Sequence, residues 1–98
     1  MFSEEKLEEN KKQAEEYLED RIKLRDEMED LMELLYKISE LEIGKSLEHL
    51  IYYPKEKRHR VLNNMEFVEQ IKLDLTEVNE DIEKLVTISE KGYWIVGE

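Results

Sequence analysis

Two stretches of the chain repeat seam residues at alternating spacings of three and four, and a short basic segment separates them. The first runs Leu7, Asn10, Ala14, Tyr17, Arg21, Leu24, Met28, Leu31, Leu35, Ile38; the second runs Val61, Asn64, Val68, Ile71, Leu75, Val78, Ile82, Leu85. Such spacing keeps one line of side chains facing a partner along a helix, which is how long helices pack in coiled-coil fashion. The expected fold is therefore all-α: a long hairpin of antiparallel, coiled-coil-like helices with room for a short connector helix.

Composition agrees with long helices. Charged residues make up 42% of the 98 residues, against 3 glycines and 1 proline, and the 40% hydrophobic content suffices for a seam. A chain of this length buries one modest core, so the expected organisation is a single helical domain over residues 1–98. Without cysteine, disulfides and thiolate metal sites are excluded. The segment Met1, Phe2, Ser3, Glu4, Glu5 lacks the basic and apolar regions of a signal peptide, and no apolar run of about 18 residues occurs, so a cytoplasmic protein without a membrane segment is expected.

Ser3 suits an N-cap, with Glu4 and Glu5 at the positive end of the helix dipole. The first helix is expected over about residues 4–41, with Gly44 as its stop. Its stripe widens from Met28 onward, where Met32, Leu34 and Leu41 join, so the later half should be the better buried. Asn10 and Arg21 interrupt the earlier half, and a polar seam residue can set register or partner choice. A basic connector follows over 42–60, holding an amphipathic piece at Ser46, Leu47, Glu48, His49, Leu50, Ile51 and a break where Tyr53 meets Pro54. The second helix starts between Pro54, a first-turn residue, and Asn63, which forms a capping-box pattern with Glu66; the seam residue Val61 favours the earlier start, giving a helix over about 61–91. Gly92 ends it, and a short apolar tail occupies 92–98. Met65, Phe67, Leu73, Val86 and Ile88 add apolar surface outside the second stripe, which a homodimeric four-helix bundle or a heterologous protein would cover.

The net charge of −11 is unevenly spread. Residues 1–42 hold 15 acidic and 7 basic side chains, residues 43–60 hold 2 and 5, and residues 61–98 hold 9 and 3. Acidic helices attract basic protein surfaces and repel nucleic acid backbones, so the expected partner is a protein with a basic surface and direct nucleic acid binding is disfavoured. Candidate partner-binding residues are Tyr52, Tyr53, Lys55, Lys57, Arg58 and Arg60 in the connector, Glu15, Glu16, Glu19 and Asp20 on the first helix, and Trp94 in the tail. Aromatic rings beside cations can grip an acidic surface, and tryptophan often anchors an interface.

Catalytic signals are sparse. His49 and His59 lie in the connector without a matching nucleophile, and Gly44, Gly92 and Gly97 stand alone, so no phosphate loop is present. No cofactor or metal is expected. The one enzyme alternative is a carboxylate-metal nucleotide hydrolase using Glu15, Glu16 and Glu19, Glu27 and Asp30, or Glu77 and Glu80. The leading expectation is a non-enzymatic acidic protein that binds and inhibits or sequesters another protein, as small acidic phage and mobile-element inhibitors of nucleic-acid-binding host enzymes do, an analogy of size and charge. A self-assembling coiled-coil subunit is the second.

Overall fold

The computed structural model of the protein describes residues 3–94. Its elements are α1 (Glu4–Ser39), α2 (Glu42–Ser46), β1 (Glu48–Tyr53), β2 (Arg58–Asn63) and α3 (Asn64–Lys91). Of the described residues 75% are helical, and the long helix α1 packs on α3. It divides into two compact units, one made of residues up to Asp26 with those from Thr76 onward, the other of Glu27–Leu75.

In the second unit the core is Leu35, Val68 and Ile71, with Met28, Met32 and Phe67 packed against it. Burying each of these aliphatic side chains contributes on the order of 2 kcal/mol. The second stripe holds from Asn64 to Leu85, every member being at least half-buried. The first stripe drifts: Tyr17, Arg21 and Leu31 are exposed, whereas Leu18, Ile22 and Met32 are drawn inward. A strict seven-residue repeat and a 3.6-residue helix lose phase with one another, which is how Leu18, Ile22 and Met32 come to face inward beside the stripe.

The fold is not purely all-α. Residues expected as connector and early second helix form an antiparallel β-hairpin, with Glu48 opposite Asn63, Leu50 opposite Val61 and Tyr53 opposite Arg58. Leu50, Ile51, Tyr52 and Tyr53 are branched or aromatic residues that fit a pleated, half-buried surface, and β1 alternates exposed and half-buried along its length. The amphipathic piece at Ser46–Ile51 is thus the last residue of α2 followed by a strand. Val61 belongs to β2 and is exposed, so its three-residue spacing to Asn64 is coincidental.

Tyr53 ends β1 and Pro54 opens the loop, where the expected break falls. The Glu56 amide donates to the Tyr53 carbonyl (3.1 Å) and the Lys57 amide to that of Pro54 (3.2 Å), with proline at the turn position that suits its fixed φ. Lys57 has φ 54°, and this left-handed residue returns the chain to β2.

The start of α3 is the later of the two sequence alternatives. The Asn63 amide donates to Glu66 Oε1 (3.0 Å) and the Glu66 amide to Asn63 Oδ1 (2.9 Å), a reciprocal capping box. At the other end Gly92 adopts φ +85° and its amide donates to the Ile88 carbonyl (2.7 Å), closing the helix where the sequence places its stop. Ser3 caps α1 through Oγ, which accepts from the Lys6 amide at 3.2 Å.

Gly44 does not stop α1, which ends at Ser39. It lies buried inside α2, and a Cβ there would meet the Ile38 carbonyl oxygen at 1.8 Å. Close approach of two backbones, not helix termination, requires glycine at this position. The Gly44 carbonyl accepts from Asn64 Nδ2 (3.0 Å), and Asn64 Oδ1 bonds to His49 Nε2, whose ring lies 5.0 Å from that of Phe67. Because the Asn64 amide nitrogen faces a carbonyl, its oxygen is left to face His49. One buried asparagine thus ties α2, β1 and the first turn of α3 together.

Candidate functional site

Two surfaces carry the candidate residues, one in each unit, and they differ in charge. In the first unit, α1 and the last turns of α3 flank a groove of about 340 Å³ whose lining includes Asn10, Tyr17, Leu85, Ile88, Tyr93 and Trp94. Gly92 places the last two there: its left-handed turn against Leu7 brings the chain back over α1, and Asn10 Nδ2 donates to the Gly92 carbonyl at 3.0 Å. Asn10 therefore has a definite structural role as the polar seam residue. Tyr17, Tyr93 and Trp94 remain exposed at 56%, 38% and 42%.

Glu15, Glu16, Glu19 and Asp20 flank Tyr17 in the sequence of α1, and all are exposed. None takes part in the ion pairs formed among the described residues. Glu15 and Glu19 also border a shallow depression of about 270 Å³ with Leu18 and Ile22. None of the four lines the groove, so the carboxylates give α1 a negative surface next to, and not within, the aromatic concavity. Tyr17 was legible only as a seam residue. Its drift off the seam is what makes it part of this surface.

The second surface is the hairpin. Strand alternation separates residues that the sequence presents as one aromatic and cationic run. Tyr53 faces α3, where its hydroxyl donates to Gln70 Oε1 (2.9 Å), and the Arg60 guanidinium lies 5.0 Å from the Tyr53 ring centroid. Arg58 pairs with Glu56 at 3.2 Å. Tyr52 points the other way, 5.0 Å from the His59 ring, on a face shared with Leu50 and Val61. Tyr53 and Arg60 are thereby engaged within the fold, and the ring available at this surface is Tyr52. Lys55 and Lys57, in the loop, form no ion pair among the described residues.

The carboxylate sets Glu15, Glu16 and Glu19, Glu27 and Asp30, and Glu77 and Glu80 are not completed into a metal cage. Among the described residues no group of three or more His, Cys, Asp or Glu side chains is placed to hold a metal ion. No helix among them is long and apolar enough to cross a membrane. Of the apolar tail, Tyr93 and Trp94 line the groove, and residues 95–98 lie outside the described residues. Comparison with known proteins finds no matching family model, no matching curated protein and no matching solved structure.

Proposed function

We propose that the protein is a non-enzymatic interaction protein that binds another protein through the aromatic-rimmed groove of its first unit, helped by the exposed carboxylates of α1, and thereby inhibits or sequesters it. The observation that carries this reading is the convergence of Tyr17, Tyr93 and Trp94 on one groove flanked by α1, a helix that also exposes Glu15, Glu16, Glu19 and Asp20, which form no ion pair among the described residues. Exposed aromatic rings grouped around a concavity are the anchors that dominate protein interfaces, and the carboxylates select a basic partner and steer its approach. A basic surface of that kind is what a nucleic-acid-binding enzyme or defence complex presents, and closely spaced carboxylates on a helix can stand in for a phosphate track. Such a partner would be met in the cytoplasm, as for phage and mobile-element inhibitors.

Affinity capture from the lysate of the source cells, at low and high salt, tests the reading. Wild-type protein should retain one predominant, salt-sensitive partner. Trp94→Ala, and separately Glu15, Glu16, Glu19 and Asp20 changed to their amides, should lose it while helical content is unchanged. Capture unaffected by either change would overturn the assignment.

A further inference from the structure

We infer that the outward face of the β-hairpin docks a second copy of this chain, face to face and antiparallel about a two-fold axis. Leu50, Val61 and Tyr52 are exposed at 68%, 57% and 52%, although on the opposite face of the same ribbon His49 and Tyr53 bond to α3 and Leu62 is buried. From base to tip the outward face reads Glu48 with Asn63, then Leu50 with Val61, then Tyr52 with His59, then the loop bearing Lys55 and Lys57. This order is self-complementary. Rotated about an axis between its two middle rows, the aliphatic pair of one copy meets the aromatic pair of the other, and Glu48 of each meets the lysine loop of its mate.

The charge pattern also selects the antiparallel arrangement over the parallel one. Glu48 and Tyr53 are five residues apart along the strand, roughly 17 Å at about 3.3 Å per residue, so the two lysine loops are separated by more than twice the ~8 Å physiological screening length. A parallel pairing would stack Lys55 and Lys57 of both copies together. The hairpin is also the segment where an otherwise acidic chain is locally basic: Glu48 and Glu56 stand against Lys55, Lys57, Arg58 and Arg60 over residues 48–63. It is here that two copies approach with least general repulsion. The contact is small beside standard interfaces, which sets the expected affinity in the micromolar range.

Self-association through the hairpin goes beyond capture of a partner through the groove, and purified protein reads it with no partner present. Sedimentation velocity on the full chain should show a concentration-dependent monomer–dimer equilibrium. Leu50→Glu should weaken it by at least about tenfold with helical circular dichroism unchanged; should that variant lose helix, Leu50→Ser with Val61→Thr replaces it. E48K alone and K55E/K57E alone should each be largely monomeric, because each sets like charges together at both ends of the contact. Mixing the two should restore association as a heterodimer, since both ends then pair opposite charges. A wild-type monomer at every concentration, a dimer indifferent to the Leu50 and Val61 changes, or a mixture that fails to recover would each overturn the inference. A monomer that still captures its partner leaves the groove assignment standing, and a hairpin dimer that captures nothing removes the groove while keeping the dimer.

Discussion

Asn10 Nδ2 donates to the Gly92 carbonyl across 82 positions of sequence, so a polar residue in the seam of α1 satisfies the backbone just past the end of α3. Removing this donor leaves a part-buried carbonyl without its partner. Asn10→Ala should destabilise the fold by about 1 kcal/mol, read as a lower urea midpoint with an unchanged slope.

Gly92 itself leaves no room for a side chain. At φ +85° a Cβ would lie 2.8 Å from the Leu7 carbonyl oxygen and 3.0 Å from Leu7 Cβ. Gly92→Ala combines a disfavoured backbone with backbone overlap and should cost about 2 kcal/mol or more in chemical denaturation, and it should also displace Tyr93 and Trp94 and weaken partner capture.

Asn64 is 3% exposed and holds both Gly44 and His49. Asn64→Leu strands the Gly44 carbonyl and a part-buried His49 ring nitrogen, an expected loss of about 3 kcal/mol by urea unfolding. The cross-strand amide protons of β1 should lose hydrogen-exchange protection along with it.

Lys57 occupies the left-handed region, which costs an L-residue roughly 1–2 kcal/mol, partly offset by the greater entropy glycine would bring to the unfolded chain. Lys57→Gly should therefore raise stability by about 0.5 kcal/mol, measured as an increased Tm.

Lys72 has its pKa raised above the ordinary 10.5, first by its hydrogen bond to Tyr36 and then by Glu69. A raised folded pKa stabilises the fold fully below the unfolded value and loses that contribution as pH climbs through the folded one. Tyr36→Phe should thus lower the Lys72 pKa in an Nζ-detected NMR titration, with its effect on Tm fading at strongly alkaline pH and not at neutral or acidic pH.

The parts of the fold legible in the sequence were those governed by a single local rule. Ser3 and Gly92 mark helix ends through hydrogen-bond chemistry contained within four residues, as does the Asn63 and Glu66 pair that the spacing of Val61 outweighed, and the stripe from Asn64 to Leu85 follows from helical period alone. The hairpin was obscured because Val61, Asn64 and Val68 continue a helical spacing back into a strand, and because a mixed run of tyrosines and cations reads as one patch until a two-residue period sends Tyr52 and Tyr53 to opposite faces. A run of Leu50, Ile51, Tyr52 and Tyr53 before a proline turn was the available strand signal. The groove was only half legible: Trp94 stood out by type, but Tyr17 joined it through a drift of helix phase, and their meeting depends on a turn at Gly92 that no spacing encodes.

Asn63 is at once the last residue of β2 and the cap of α3, with no linker residue between strand and helix. A one-residue slip of the strand pairing would move the helix cap off Asn63 and turn every side chain of β2 over. Ribbon and helix start cannot then be acquired one after the other in alternative registers. They should form in a single cooperative step, with the amides of β2 and of the first turn of α3 opening together in native-state hydrogen exchange as one foldon.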